Sequence, residues 1–287
     1  MRIDSKPMIV CIAFFVGAIM GAGASSVLMV VANDDKQETG IEQRDCYHRS
    51  TTAVLWNLTA AEARALCYQA YNAARAALDS RLANSTSEKR TAIIIDLDET
   101  VLDTSKYQAE RVWTGISFPA GWKDWVDSHQ ALAVPGAKEF LDYAESRGVE
   151  IFYLSNRPTE MEEGTVQNLV EQKMPFADEK HVLLRTGEKK KGFHAREIEK
   201  GYDVLLRIGD GLDDFFDEVG KLSVSDRTKV VEQHREEFAK KFIVLPNAMY
   251  GYWEGALYDY EWDLPAIEKR FRRMQWLKEG ASFRRPK

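Results

Sequence analysis

Two aspartates close an apolar run in the stretch Ile93-Ile94-Ile95-Asp96-Leu97-Asp98-Glu99-Thr100. Consecutive isoleucines predict a buried strand, and side chains two positions apart on an extended chain point the same way. Asp96 and Asp98 are therefore expected to share one place at the carboxyl end of that strand, where open α/β sheets bind their ligands. A carboxylate there needs a partner, because burying one unpaired is costly. A hard divalent cation such as magnesium would satisfy the pair, as would a set of backbone donors. Taken alone, Asp98 or Glu99 reads equally well as the cap of a following helix.

A second run repeats the arrangement. Val204-Leu205-Leu206-Arg207-Ile208 leads into Gly209-Asp210-Gly211-Leu212-Asp213-Asp214, where glycines on both sides of Asp210 allow a tight turn or a close backbone approach. Two acidic loops on neighbouring strands make a metal site the better reading. A third run, Val149 to Leu154, ends in Ser155-Asn156-Arg157-Pro158. A hydroxyl and backbone N–H groups at a strand-to-helix turn suit an anion, although Ser155 by itself could merely cap a helix. Glu188-Lys189-Lys190-Lys191 precedes a short helical stretch. Such a run is usually a solvated face, but a site of metal, aspartates and phosphate requires fixed positive charge, so one lysine is expected to reach in.

The elements that must position these residues alternate along the chain. Apolar runs at Thr91–Leu97, Val149–Leu154, His181–Arg185, Val204–Ile208 and Phe242–Leu245 are separated by helical patterns at Ala137–Ser146, about Glu160–Lys173 and Ala195–Lys200. This alternation predicts a parallel sheet covered by helices on both faces. The segment 104–135 breaks the rhythm. Its Tyr107, Trp113, Phe118, Trp122 and Trp125 predict a small, mainly helical cap inserted over one edge. Upstream, an Ala-rich helix is expected over 59–82, with Thr59 as N-cap and Glu62 completing a capping box. A basic helix is expected from about Pro265 to Lys278, running into a basic tail at 276–287.

Together the motifs resemble the haloacid dehalogenase (HAD) superfamily of phosphohydrolases. The longer strings Asp96–Asp103, Gly209–Phe215 and Leu245-Pro246-Asn247-Ala248-Met249-Tyr250-Gly251-Tyr252-Trp253-Glu254-Gly255 are similar to those of the bacterial class C (subfamily IIIB) acid phosphatases, over about residues 50–275. The resemblance implies a HAD-like Rossmannoid α/β fold and a magnesium-dependent phosphatase. It implies Asp96 as the nucleophile that forms an aspartyl-phosphate, and Asp98 as the group that protonates the leaving oxygen and then activates water. Magnesium would be held by Asp96, the Asp98 backbone carbonyl and Asp210, with Asp214 behind them or near the metal. Ser155 and Asn156 would meet the phosphate. Lys191 would neutralise charge, with Lys190 as runner-up. Many relatives carry Asn-Ser-Pro where this chain has Thr104-Ser105-Lys106, so loop shape or substrate contacts are expected to differ. Relatives often hydrolyse nucleoside monophosphates, and Tyr107, Trp113, Tyr250 and Trp253 are the aromatics that could stack on a base. A phosphatase restricted to another small phosphorylated metabolite would use the same residues. A non-catalytic surface protein would be expected to have lost some of them.

The N-terminus is of another kind. Met8 to Ala32 contains no charged residue, follows Arg2 and Lys6, and precedes Asn33-Asp34-Asp35. It is long enough to cross the ~30 Å hydrocarbon core of a bilayer, and residues 1–32 read as a signal peptide or an uncleaved anchor. Basic residues before it and acidic residues after it put the body outside the cytoplasm, in the bacterial periplasm or at the cell surface. Residues 33–50 read as a polar tether to a phosphatase domain over 51–275. Cys46 and Cys67 could form a disulfide in an oxidising compartment or remain two thiols. Composition excludes a disordered or fibrous chain, with 45% hydrophobic and 29% charged residues. A net charge of -6 argues against a nucleic-acid polymer as partner. The sequence leaves the oligomeric state open.

Overall fold

The structure, a computed structural model, describes residues 50–281. The N-terminal apolar segment, the tether up to residue 49 and Cys46 lie outside the described residues. Among the described residues, seven strands follow one another as β1 (Arg90–Asp96), β2 (Leu102–Asp103), β3 (Leu132–Ala133), β4 (Glu150–Pro158), β5 (Val182–Arg185), β6 (Tyr202–Gly209) and β7 (Phe242–Val244). Five form one parallel sheet in the order β5-β4-β1-β6-β7.

The isoleucine run lies at its centre, and its alternation explains both cores. Ile93 and Ile95 turn to one face, among Tyr71, Leu78, Phe140 and Leu141 of the helices Ala61–Asn84 and Ala137–Ser146. Ala92 and Ile94 turn to the other, among Phe152, Leu154, Ala195 and Ile198, the last two from the helix Lys191–Gly201. Past the exposed start at Arg90 and Thr91, the doubly buried part of the strand carries no polar side chain until Asp96. Asp96 is in register with Leu154 of β4, and Ile95 with Ile208 of β6. The loops after β1, β4 and β6 therefore emerge side by side. The chain runs outward from β1 through β4 to β5, then returns to β6 on the opposite side, so the strand order reverses between β1 and β6.

The insert stands on a small antiparallel pair, β2 with β3. It carries the helices Ser105–Thr114 and Trp122–Asp127, held by a core of Tyr107, Trp122 and Val126.

The N-terminal helix differs from expectation at its start. It begins at Ala61, and its N-cap is Ala60, without a side-chain cap. Residues 50–59 form a preceding helix, and the Thr59 hydroxyl is spent on the Leu55 carbonyl at 2.6 Å. Thr59 therefore ends one helix and caps none. Helix Lys191–Gly201 likewise begins earlier than its apolar pattern, because Lys191 and Gly192 join its first turn.

Candidate active site

Asp96 ends β1 almost fully buried, with 5% of its surface exposed. Both of its oxygens are engaged. Lys191 Nζ donates to Oδ1, and Thr100 Oγ1 donates to Oδ2 at 3.2 Å. Lys191 also donates to Asp214 Oδ1 at 2.7 Å. Lys190, one residue earlier, is exposed. Of the two lysines, Lys191 is the one in hydrogen-bond contact with Asp96 and Asp214.

One carboxylate oxygen from each of Asp96, Asp210 and Asp214 falls within 4.8 Å of the others. Burial pushes Asp96 up to about 7 against the pull of Lys191, and the Asp214 and Asp98 charges add to the push. Burial also holds Asp210 well above the usual carboxylate range, with Asp96 and Asp214 contributing. Burial works against the Lys191 ammonium, but Asp214 and Asp96 outweigh it and raise its pKa well above the ordinary value. Three carboxylates against one ammonium leave the cluster short of two positive charges. A divalent cation would supply that charge, and hard oxygen ligands are what magnesium prefers. The donor set thus fits such an ion.

The supporting bonds are specific. Asp214 Oδ2 accepts the Gly211 N–H at 2.9 Å. A Cβ on Gly209 would lie 2.2 Å from that same Oδ2, so the backbone must approach where only glycine fits. Asn247 Nδ2 donates to Asp210 Oδ2 at 2.7 Å, and its own Oδ1 accepts the Met249 N–H at 2.8 Å. Asn247 was legible only as part of a resembling string, with no role attached to it.

Ser155 is buried within β4, while the next residue, Asn156, is exposed. The Arg157 N–H donates to Ser155 Oγ at 3.1 Å, which leaves the serine hydrogen free to donate elsewhere. Asp98 lies apart from the three clustered carboxylates. Its oxygens are gripped by Arg157, Nη2 to Oδ1 at 2.6 Å and Nε to Oδ2 at 3.1 Å. Sequence reasoning assigned Arg157 no function. Its signal was a charged residue three positions past the apolar run Val149–Leu154, still inside β4.

The aromatics separate. Tyr107 does not offer a face for stacking on a substrate. It is 2% exposed, its ring centroid lies 4.8 Å from that of Trp122, and its hydroxyl donates to the Ala120 carbonyl at 2.9 Å. The insert is too small to fold without a core, and Tyr107 is part of it. Trp113 is 87% exposed, Trp253 is exposed with its indole N–H on the Tyr250 carbonyl, and Tyr250 is half-buried. Cys67 is a buried free thiol, raised to about 11 by burial and by the Asp103 charge. Among the described residues no helix is long and apolar enough to cross a membrane.

A parallel sheet with acidic loops at its switch point, a buried lysine and a serine turn defines an α/β phosphohydrolase of the HAD type. Residues 19–253 match the family described as HAD superfamily, subfamily IIIB (acid phosphatase). The chain is also similar to the class C acid phosphatase from Bacillus anthracis, at 39% identity and a TM-score of 0.77, covering 86% of this chain and 99% of that one. A second structure of that enzyme, with tungstate bound, matches with the same identity, TM-score and coverage. The chain belongs to subfamily IIIB of the HAD superfamily, the acid phosphatases, and hydrolyses phosphate monoesters.

Proposed function

We propose that this acid phosphatase is magnesium-dependent, works through an aspartyl-phosphate on Asp96, and accepts nucleoside 5'-monophosphates among its substrates. The observation that carries the proposal is the hydrogen bond from Lys191 to Asp96 within a cluster of three converging carboxylates. A buried carboxylate pushed to about 7 needs neighbouring positive charge to remain an ionised nucleophile at acid pH.

Asp96 attacks phosphorus, and the bond from phosphorus to the ester oxygen breaks. Asp98 gives its proton to the departing oxygen, then takes one from the water that attacks the aspartyl-phosphate, releasing phosphate and restoring Asp96. Ser155, whose hydrogen is uncommitted, donates to a phosphoryl oxygen, with the exposed Asn156 beside it. Lys191 neutralises charge on nucleophile and phosphoryl group. Magnesium would be held by Asp96, Asp210 and the Asp98 backbone carbonyl, with Asp214 beside them, and when bound would offset the negative charge of the phosphoryl oxygens. The relative that binds tungstate, an oxyanion, is consistent with a phosphate-shaped site. Exposed Trp113 and Trp253, with Tyr250, are the rings available to a base.

The N-terminal segment Met8–Ala32 supports a location outside the cytoplasm, either periplasmic or surface-attached by that segment. Phosphate release by the full chain in detergent tests the reading, with adenosine 5'-monophosphate and p-nitrophenyl phosphate, across pH, with magnesium or chelator, and with Asp96→Asn alongside. Turnover that needs the metal and is lost in Asp96→Asn is expected. Turnover of p-nitrophenyl phosphate alone would remove the nucleotide preference in favour of another small phosphorylated metabolite. Activity unchanged by Asp96→Asn would end the proposed mechanism.

A further inference from the structure

We infer that Arg157 is the positioning residue for Asp98, fixing the plane of its carboxyl group so that the oxygen carrying the transferable proton faces the ester oxygen. The inference rests on the reading of Asp98 as the proton donor. Four observations carry it. First, Arg157 binds both Asp98 oxygens through a guanidinium fork, at 2.6 and 3.1 Å. A carboxylate with one hydrogen bond swings about its last torsion. A carboxylate gripped at both oxygens does not, and it still keeps a second lone pair on each oxygen.

Second, the fork itself is immobilised. The Arg157 side chain is 2% exposed. Its Nη1 donates to Thr165 Oγ1 at 2.9 Å, and Thr165 in turn donates to the Met161 carbonyl at 2.7 Å. Third, the guanidinium carbon lies 5.2 Å from the ring centroid of Trp122, a residue of the insert's core. The insert and the helix Glu162–Glu171 thus hold Arg157 from two sides. Fourth, the backbone N–H of the same residue orients Ser155, whose hydroxyl faces the phosphate in the proposed mechanism. One residue therefore sets the spacing between the group that holds the phosphoryl oxygens and the group that serves the leaving oxygen. A buried arginine whose only task was to neutralise Asp98 would need neither the fork nor the backbone bond.

Positioning of an acid has a signature that loss of folding or of phosphate binding lacks. Esters with a poor leaving group need the proton during bond breaking, and p-nitrophenyl phosphate barely does. The ratio of two kcat/KM values on one preparation is independent of the fraction folded, and kcat/KM reports the step up to the aspartyl-phosphate. The experiment measures kcat/KM for ethyl phosphate and p-nitrophenyl phosphate with the full chain in detergent, for wild type, Arg157→Lys, Arg157→Gln and Asp98→Asn, with thermal midpoints recorded in parallel. In both Arg157 variants the ethyl ester is expected to lose about tenfold or more beyond the loss for the nitrophenyl ester, with KM little changed, and in Asp98→Asn more still. Equal losses on the two esters in the Arg157 variants, beside a skewed Asp98→Asn, would overturn the inference while leaving the acid in place. A normal ratio in Arg157→Lys would show that charge suffices and would overturn the role of the fork. An unskewed Asp98→Asn would remove the proton donor itself, and the inference with it.

Discussion

Lys191 bridges two aspartates that stand on different strands' loops, donating to Asp96 Oδ1 and, at 2.7 Å, to Asp214 Oδ1. This single ammonium sits where the proposed nucleophile meets the carboxylate cluster. Its loss should therefore be felt in chemistry more than in folding. Lys191→Met is expected to lower kcat/KM by about 10²–10³, the cost of removing one fixed electrostatic stabiliser. Lys190→Met, altering an exposed neighbour, is expected to stay close to wild type. The two variants, assayed together on p-nitrophenyl phosphate, decide which lysine serves the site.

Gly209 meets Asp214 more closely than any side chain could tolerate, since its Cβ would fall 2.4 Å from the Asp214 carboxyl carbon. Gly209→Ala should push Asp214 off Lys191 while leaving the sheet intact. A loss of activity of roughly 10²-fold with a cooperative thermal transition retained is expected. Near-normal turnover would mean that the loop has room the structure does not show.

Divalent metal binding can be read without turnover. A ligand that binds only the folded chain stabilises it by about 2.7 kcal/mol at 100 times its dissociation constant. For a domain of this size that raises the melting temperature by roughly 5–10 °C. Magnesium should produce such a shift in the wild type and little in Asp210→Asn. Absence of any shift in the wild type would count against the metal.

Glu150 sits at the opposite end of the sheet, at the start of β4. Burial would raise its pKa, but hydrogen bonds from His181, Tyr202 and Lys180, at 3.0, 2.9 and 3.1 Å, bring it down from 4.5 to about 2. A carboxylate whose folded pKa is depressed contributes stability above its unfolded value and loses it as pH falls through the folded one. Glu150→Gln is therefore expected to cost about 1.5–3 kcal/mol near pH 6, the range of charge-assisted hydrogen bonds. The gap to wild type should close as pH falls from 4.5 to about 2. Urea unfolding at several pH values measures it, and a gap independent of pH would refute the assignment.

Much of this molecule was legible along the chain because its strands are local and apolar. Ile93 to Ile95 announce a doubly buried strand without help from elsewhere, and an aspartate directly after such a strand has to lie at its mouth. The glycines around Asp210 announce a close approach for a similar reason. The family followed from the order of these strings.

Other features depended on packing between distant segments. Lys191 meets Asp96 across 95 positions of chain, and the packing of the helix Lys191–Gly201 against β1 and β4 brings the two together. Tyr107 looks available in a list of aromatics and is buried because the insert needs a core of its own. Thr59 has the side chain of a cap and spends it on Leu55, one turn back. Arg157 and Asn247 carry no local mark of their partners, Asp98 and Asp210, which lie 59 and 37 positions away. Periodicity and residue type are properties of neighbours in sequence, so they determined the strands, the loops and the chemistry at their ends. Which charged group faces which carboxylate is a property of neighbours in space, and the tertiary structure alone decided it.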